Sequence, residues 1–129
     1  MKRVLLALAF VFLSIVSISQ VLYLDAAKLE VRADNGDLIA SNYFTGMVNA
    51  VCGHETIAMW YDNDRVEIRN LKLDLLTSNY YTGIVGLAII AKTIVNKNQK
   101  IEPLIILYYK DRKVETRDKQ LNLISTRYS

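Results

Sequence analysis

Cysteine, histidine and proline each occur once in this chain of 129 residues, and glycine only five times. A lone cysteine, Cys52, excludes an internal disulfide, so stability must come from a core and from strand ladders. One histidine and one cysteine fall short of the three or four ligands a metal site needs. Charge of one sign is lacking too. The chain has 16 Lys and Arg against 13 Asp and Glu, but Lys2 and Arg3 belong to an apolar N-terminal segment. Without them, 14 basic side chains face 13 acidic ones. Such a balance leaves no electrostatic footprint for nucleic acid. What is abundant is apolar surface. Hydrophobic residues make up 52% of the chain, which suits one ordered domain with a real core.

The N-terminus has the three parts of a signal peptide. Lys2 and Arg3 are the basic region, Val4 to Leu13 is unbroken apolar sequence, and Ser17 and Ser19 precede a possible cut before Gln20. No cysteine lies near that cut, which argues against a lipoprotein anchor. The alternative is an uncleaved anchor, since Val4 to Leu24 carries no charge and is long enough to span a bilayer. Either reading puts the remainder outside the cytoplasm: in the periplasm, or anchored to the inner membrane and facing it. The expected domains are residues 1–19 as signal peptide, or an anchor to about residue 24, and residues 20–129 as a single β-repeat domain.

The most informative feature is internal repetition. Residues 24–48 and 61–85 align at an offset of 37, with 11 of 25 positions identical. Glu30/Glu67, Arg32/Arg69, Asp37/Asp74 and Ser41-Asn42-Tyr43/Ser78-Asn79-Tyr80 are among them. A third, more worn copy at residues 109–128 aligns with 61–80 at an offset of 48, with 7 of 20 identical. The extra residues fall between Val85 and Tyr109, and polar Asn96 to Lys100 reads as a lengthened loop. Lys28 to Arg32, Arg65 to Arg69 and Lys113 to Arg117 alternate polar and apolar, the period of a strand. Asp34-Asn35-Gly36-Asp37 is a strong turn signal. Leu38 to Val48 and Leu75 to Val85 then read as longer strands, with Gly46 and Gly83 marking a bulge or bend. Thr56 to Tyr61, Gly86 to Val95 and Leu104 to Tyr109 supply further strands. Repeats of this kind argue for stacked units with one continuous core. The fold class expected is all-β: stacked strand repeats forming a twisted β-jelly-roll or solenoid, preceded by an N-terminal hydrophobic export helix.

No catalytic set emerges. Cys52 and His54 would share a face of a strand, but nucleophilic catalysis also needs an orienting group and an oxyanion site. A turn with a polar His and a small buried thiol is the plainer reading, so neither a catalytic residue nor a metal or cofactor is expected. Glu30, Glu67 and Glu115 recur with basic neighbours. They read as a charged strip for a headgroup or, more simply, as a solvated face of cross-strand ion pairs. Tyr80-Tyr81 and Tyr108-Tyr109 read as strand packing.

Ala27 to Val31, Gly36 to Ala40, Thr45 to Ala50, Thr56-Ile57-Ala58 and Tyr61-Asp62, with Thr82 to Val85 and Ile89-Ile90-Ala91 as worn echoes, resemble the OstA-like family of periplasmic lipopolysaccharide-transport proteins, LptA- and LptC-like. The family's usual Gly-Asn-Val is Gly-Met-Val and Gly-Ile-Val here. The resemblance implies a carrier or bridge module that binds the acyl chains of an envelope lipid during transport to the outer membrane. The expected lipid-lining seam is Leu29, Val31, Leu38, Val48, Ile57, Met59, Val66, Ile68, Leu75, Val85, Val114 and Leu123. The expected partners are an amphipathic lipid and other OstA-like envelope proteins, or a second copy joined by edge-strand pairing. The alternative is a purely structural β-repeat protein of the cell envelope. Size of the interior separates the two: a carrier needs an accessible apolar seam, a structural protein a close-packed core.

Overall fold

The computed structural model describes residues 20–25, 27–93 and 101–129. The expected export helix and the expected loop at Asn96 to Lys100 lie outside the described residues. Eleven antiparallel strands are seen among those residues: β1 (Gln20–Asp25), β2 (Lys28–Ala33), β3 (Leu38–Tyr43), β4 (Met47–Gly53), β5 (Thr56–Tyr61), β6 (Arg65–Asn70), β7 (Leu75–Tyr80), β8 (Ile84–Thr93), β9 (Ile101–Tyr109), β10 (Lys113–Arg117) and β11 (Leu123–Tyr128). Strand β1 takes in residues that the retained-anchor reading assigned to a membrane span. The alternating segments are β2, β6 and β10, as expected.

The strands form three separate sheets, ordered β1-β2-β3, β4-β5-β6-β7 and β8-β9-β10-β11. This corrects the jelly-roll or solenoid expectation. In a solenoid of stacked turns, equivalent strands of successive repeats hydrogen-bond to one another. Here they belong to different sheets, and the repeats meet face to face through side chains. The sheets touch through β1 and β4, and through β4, β5 and β8. Strands β3, β7 and β11 lie at the far edges.

The long strands expected over Leu38 to Val48 and Leu75 to Val85 are each two strands in two sheets. The break falls at the recurrent glycine. Gly46 has φ 83 and Gly83 has φ 89, a left-handed turn that favours glycine. A Cβ on Gly46 would also come within 2.9 Å of Asp62 Oδ1. The glycine therefore marks where the chain leaves one sheet and enters the next. Part of the added length between the second and third copies sits in β8 and β9, of ten and nine residues against seven and six in β4 and β5.

Two apolar cores fill the spaces between sheets. Leu29, Val31, Phe44, Ala50, Ile57, Met59, Tyr61 and Leu73 form the core between the first and second sheets. Ala58, Val66, Ile68, Tyr81, Ile84, Ile105, Leu107, Tyr109 and Leu121 form the one between the second and third. Strand β5 shows why the sequence permits this. Ile57, Met59 and Tyr61 point to one core, and Ala58 and half-buried Trp60 to the other. A sheet buried on both faces reads as a continuous apolar run, as Thr56 to Tyr61 does.

Candidate functional site

The expected seam divides in two. Leu29, Val31, Ile57, Met59, Val66, Ile68 and Val114 are buried. Leu38, Val48, Leu75, Val85 and Leu123 are about half exposed, which corrects their assignment to the interior. Leu38, Leu75 and Leu123 open the far-edge strands, and Val48 and Val85 stand just past the turn glycines. The buried members do not line one channel either. Leu29, Val31, Ile57 and Met59 lie in the first core, and Val66 and Ile68 in the second.

The strip of glutamates was expected to face solvent. Instead, Glu67 and Glu115 are buried. In the second sheet, the Tyr61 hydroxyl donates to Glu67 Oε1 at 2.5 Å, and Arg69 Nε and Nη2 donate to the same oxygen at 3.0 and 2.9 Å. Arg65 Nη2 lies 2.8 Å from Glu67 Oε2. Arg69 Nη1 donates at 2.7 Å to the Leu73 carbonyl. The third sheet repeats the clasp. The Tyr109 hydroxyl donates to Glu115 Oε1, Arg117 Nε and Nη2 donate at 3.2 and 3.1 Å, and Arg117 Nη1 reaches the Leu121 carbonyl at 2.8 Å. The first sheet keeps part of it: Arg32 Nε donates to Glu30 at 3.1 Å and Nη1 to the Gly36 carbonyl at 2.8 Å. Gly36, Leu73 and Leu121 hold the same left-handed turn position, with φ 94, 68 and 66.

Each clasp in the second and third sheets is roofed by an aromatic ring from the sheet before it. Arg69 stacks 4.8 Å from the centre of Phe44, which follows β3. Arg117 stacks 4.6 Å from the centre of Tyr81, which follows β7. Phe44 and Tyr81 are repeat equivalents, so the same cation–π contact joins both pairs of sheets. The electrostatics follow the packing. Burial, then the hydrogen bond to the glutamate, pushes the Tyr61 and Tyr109 phenols well above their ordinary range. Glu30 is held below the usual carboxylate range, chiefly by its bond to Arg32. The sequence signal for a clasp is Tyr, then Glu six residues on, then Arg two further, found at 61/67/69 and 109/115/117. The tyrosines were read apart from the glutamates, and the constellation was missed. Tyr81 and Tyr109 are buried, as strand packing implies, while Tyr80 and Tyr108 are exposed.

Cys52 and His54 do not form a site. Cys52 is half-buried beside the first core, and desolvation pushes its thiol up to about 11. A thiol so raised is a poor nucleophile at neutral pH. His54 is exposed, with φ 47 in the tight turn before β5. An open cleft of about 720 Å³ lies between the turn ends of the second and third sheets, lined by His54, Glu55, Leu76, Glu102, Asp118 and Lys119 among others. Its walls mix both charges with apolar surface and bring no three potential metal ligands together among the described residues.

No family model matches the chain, and no curated protein matches it. Solved structures do. The structure described as BBS1N in complex with ARL6DN, soaked with lead, superposes with a TM-score of 0.68 at 17% identity, over 87% of this chain and 36% of that one. The same complex soaked with mercury gives 0.63 at 18% identity, over 81% and 33%. BamB from Moraxella catarrhalis gives 0.57 at 8% identity, over 86% and 33%. The chain thus spans about a third of the length of these structures. Both proteins are β-propellers rather than OstA-like proteins, and the antiparallel sheets described above resemble propeller blades, three in a row.

Proposed function

We propose that this chain is a binding scaffold without chemistry of its own: an array of propeller-type blades that presents surfaces to protein partners. The observation that supports this reading is the filling of the spaces between blades. Leu29, Val31, Ile57, Met59, Val66, Ile68, Ile105 and Leu107 are fully buried by neighbours within the chain. A carrier of acyl chains needs an apolar seam that a lipid can enter, and these interiors are occupied by the chain's own side chains. The clasps and their aromatic roofs add a second layer of rigidity, which suits a platform that must hold its shape. The BBS1N structure, which holds ARL6DN, is a precedent for an array of blades engaging a protein. The signal-peptide pattern of residues 1–19 supports a location outside the cytoplasm.

The deciding experiment is native mass spectrometry of protein purified from its own envelope without delipidation. The scaffold reading expects the bare mass, with Val66→Ala lowering the unfolding midpoint and leaving that mass pattern unchanged. One lipid per chain, lost in Val66→Ala while the fold persists, would return the reading to lipid carriage.

A further inference from the structure

Strands β3, β7 and β11 each open on an apolar pair: Leu38-Ile39, Leu75-Leu76 and Leu123-Ile124. All six side chains are exposed, by 36 to 53%. No core demands them, yet the repeat keeps them in all three copies. The third sheet adds to the same end of the array. Strands β4 and β5 stop at the pair Gly53/Thr56, and the matching pair in β8 and β9 is Ile90/Leu104. Beyond it three more pairs follow, as far as Thr93/Ile101, so this hairpin reaches about 10 Å further. Ile90 and Ile101 are exposed as well, by 50 and 43%. Ile101 and Leu76 line the same cleft, which joins the hairpin to the apolar pairs of the outer strands. Exposed apolar surface gathered in one place marks a contact with a partner or a membrane.

The chain reaches the fold at this end. Gln20, the first residue of β1, pairs with Ala33, whose N–H donates to the Asp37 carbonyl beside Leu38. Before Gln20 come Val4 to Ser19, 16 residues without a charge. A helix of that length measures about 24 Å, against a hydrocarbon core of about 30 Å. Such a segment has no length to spare for a linker, so a bilayer holding it would touch this end of the first sheet. Charge does not keep the bilayer away. Exposed Asp37, Glu55 and Asp74 are balanced at this end by exposed Lys72, Lys92 and Lys119.

We propose that this end of the array rests on a lipid bilayer, with residues 4–19 as its tether. The apolar pairs of β3, β7 and β11, with Ile90 and Ile101, sit at the boundary between headgroups and acyl chains. Contact is made at strand ends, so the polar backbone of the turns stays in the hydrated headgroup layer rather than in hydrocarbon. The balance of charge suits a zwitterionic surface. The inference goes beyond the scaffold reading and stands apart from it, because it needs no lipid inside the array.

The test uses the full chain, purified from its envelope and reconstituted in phosphatidylcholine vesicles, in a Cys52→Ser background. A polarity-sensitive fluorophore is attached at Leu76→Cys, at Ile101→Cys, or at Tyr80→Cys, which lies four residues further along β7. The first two probes are expected to shift to the blue and to be quenched several-fold more strongly than the third by spin-labelled lipid. Ile39→Glu with Leu123→Glu, both at exposed positions, should reduce quenching at Leu76→Cys while circular dichroism stays β-type. Equal quenching at the two ends of β7, or none at Leu76→Cys, would overturn the proposal. So would an intact mass showing that the purified chain begins at Gln20, or protection of the Leu76→Cys probe by a co-purified protein instead of by lipid.

Discussion

The first and second blades carry the same glutamate and the same arginine, and they use them differently. Glu67 has 5% of its side chain exposed and Arg69 15%. In the first blade the figures are 23% for Glu30 and 30% for Arg32. The Glu–Arg bond is present in both, at similar length. What differs is the company. Tyr61 donates to Glu67, but its repeat equivalent is Leu24, which has no hydroxyl to give. Phe44 roofs Arg69. An ion pair is therefore worth what its surroundings make of it. In water it gains little; desolvated, it is expensive to break because the remaining charge stays buried.

That contrast is open to direct attack. Glu67→Gln should do the most damage, about 3–5 kcal/mol of folding stability, because Arg65 and Arg69 would lose their counter-charge inside the interface. Denaturant unfolding measures it, and a loss no larger than that of an exposed pair would mean the clasp is not desolvated in solution. Tyr61→Phe comes next, at about 1–3 kcal/mol, the cost of leaving a buried acceptor short of one donor. It also carries a pH signature. The folded phenol is raised above the ordinary tyrosine value, so the folded chain keeps a proton that the unfolded chain releases. That contribution is complete below about pH 10, the ordinary value, and is lost as pH rises through the folded titration. The wild-type chain should therefore lose stability on the alkaline side more steeply than Tyr61→Phe, and matching slopes would contradict the assignment. Glu30→Gln should have the smallest effect, a midpoint indistinguishable from wild type at moderate salt. A large loss there would show that the first clasp is as closed as the second.

Much of this fold was legible in the residues, and the failures have a common cause. The offsets of 37 and 48, the alternating strands, the turn at Asp34 to Asp37 and the strand Thr56 to Tyr61 all follow from period and turn chemistry. Period two reports that a strand has two faces, but not how many of them are covered. Charge on one face of Arg65 to Arg69 was therefore read as solvent-facing, although the neighbouring blade buries it. Leu38-Ile39 and Leu75-Leu76 were ambiguous for the opposite reason. Adjacent apolar residues fit a buried strand, and these lie on an outer edge. Gly46 and Gly83 were singled out as a bulge or bend within one long strand, but a single glycine does not say whether the chain bends within a sheet or crosses to another. In the clasp, each part was noticed separately, and only geometry joins Tyr61 to Glu67 across the turn at Asp62 to Asp64.

Every described strand is hydrogen-bonded to a strand adjacent to it in sequence. The loops that must close to form a blade are short, so the entropy lost at each closure is small and folding can advance hairpin by hairpin in chain order. Contacts of longer range arise only when a finished blade docks on its predecessor. The sole tryptophan, Trp60, packs against the core between the second and third blades. Its fluorescence is a natural clock for the later event, reporting the moment when separate sheets become one body rather than the moment when strands first pair.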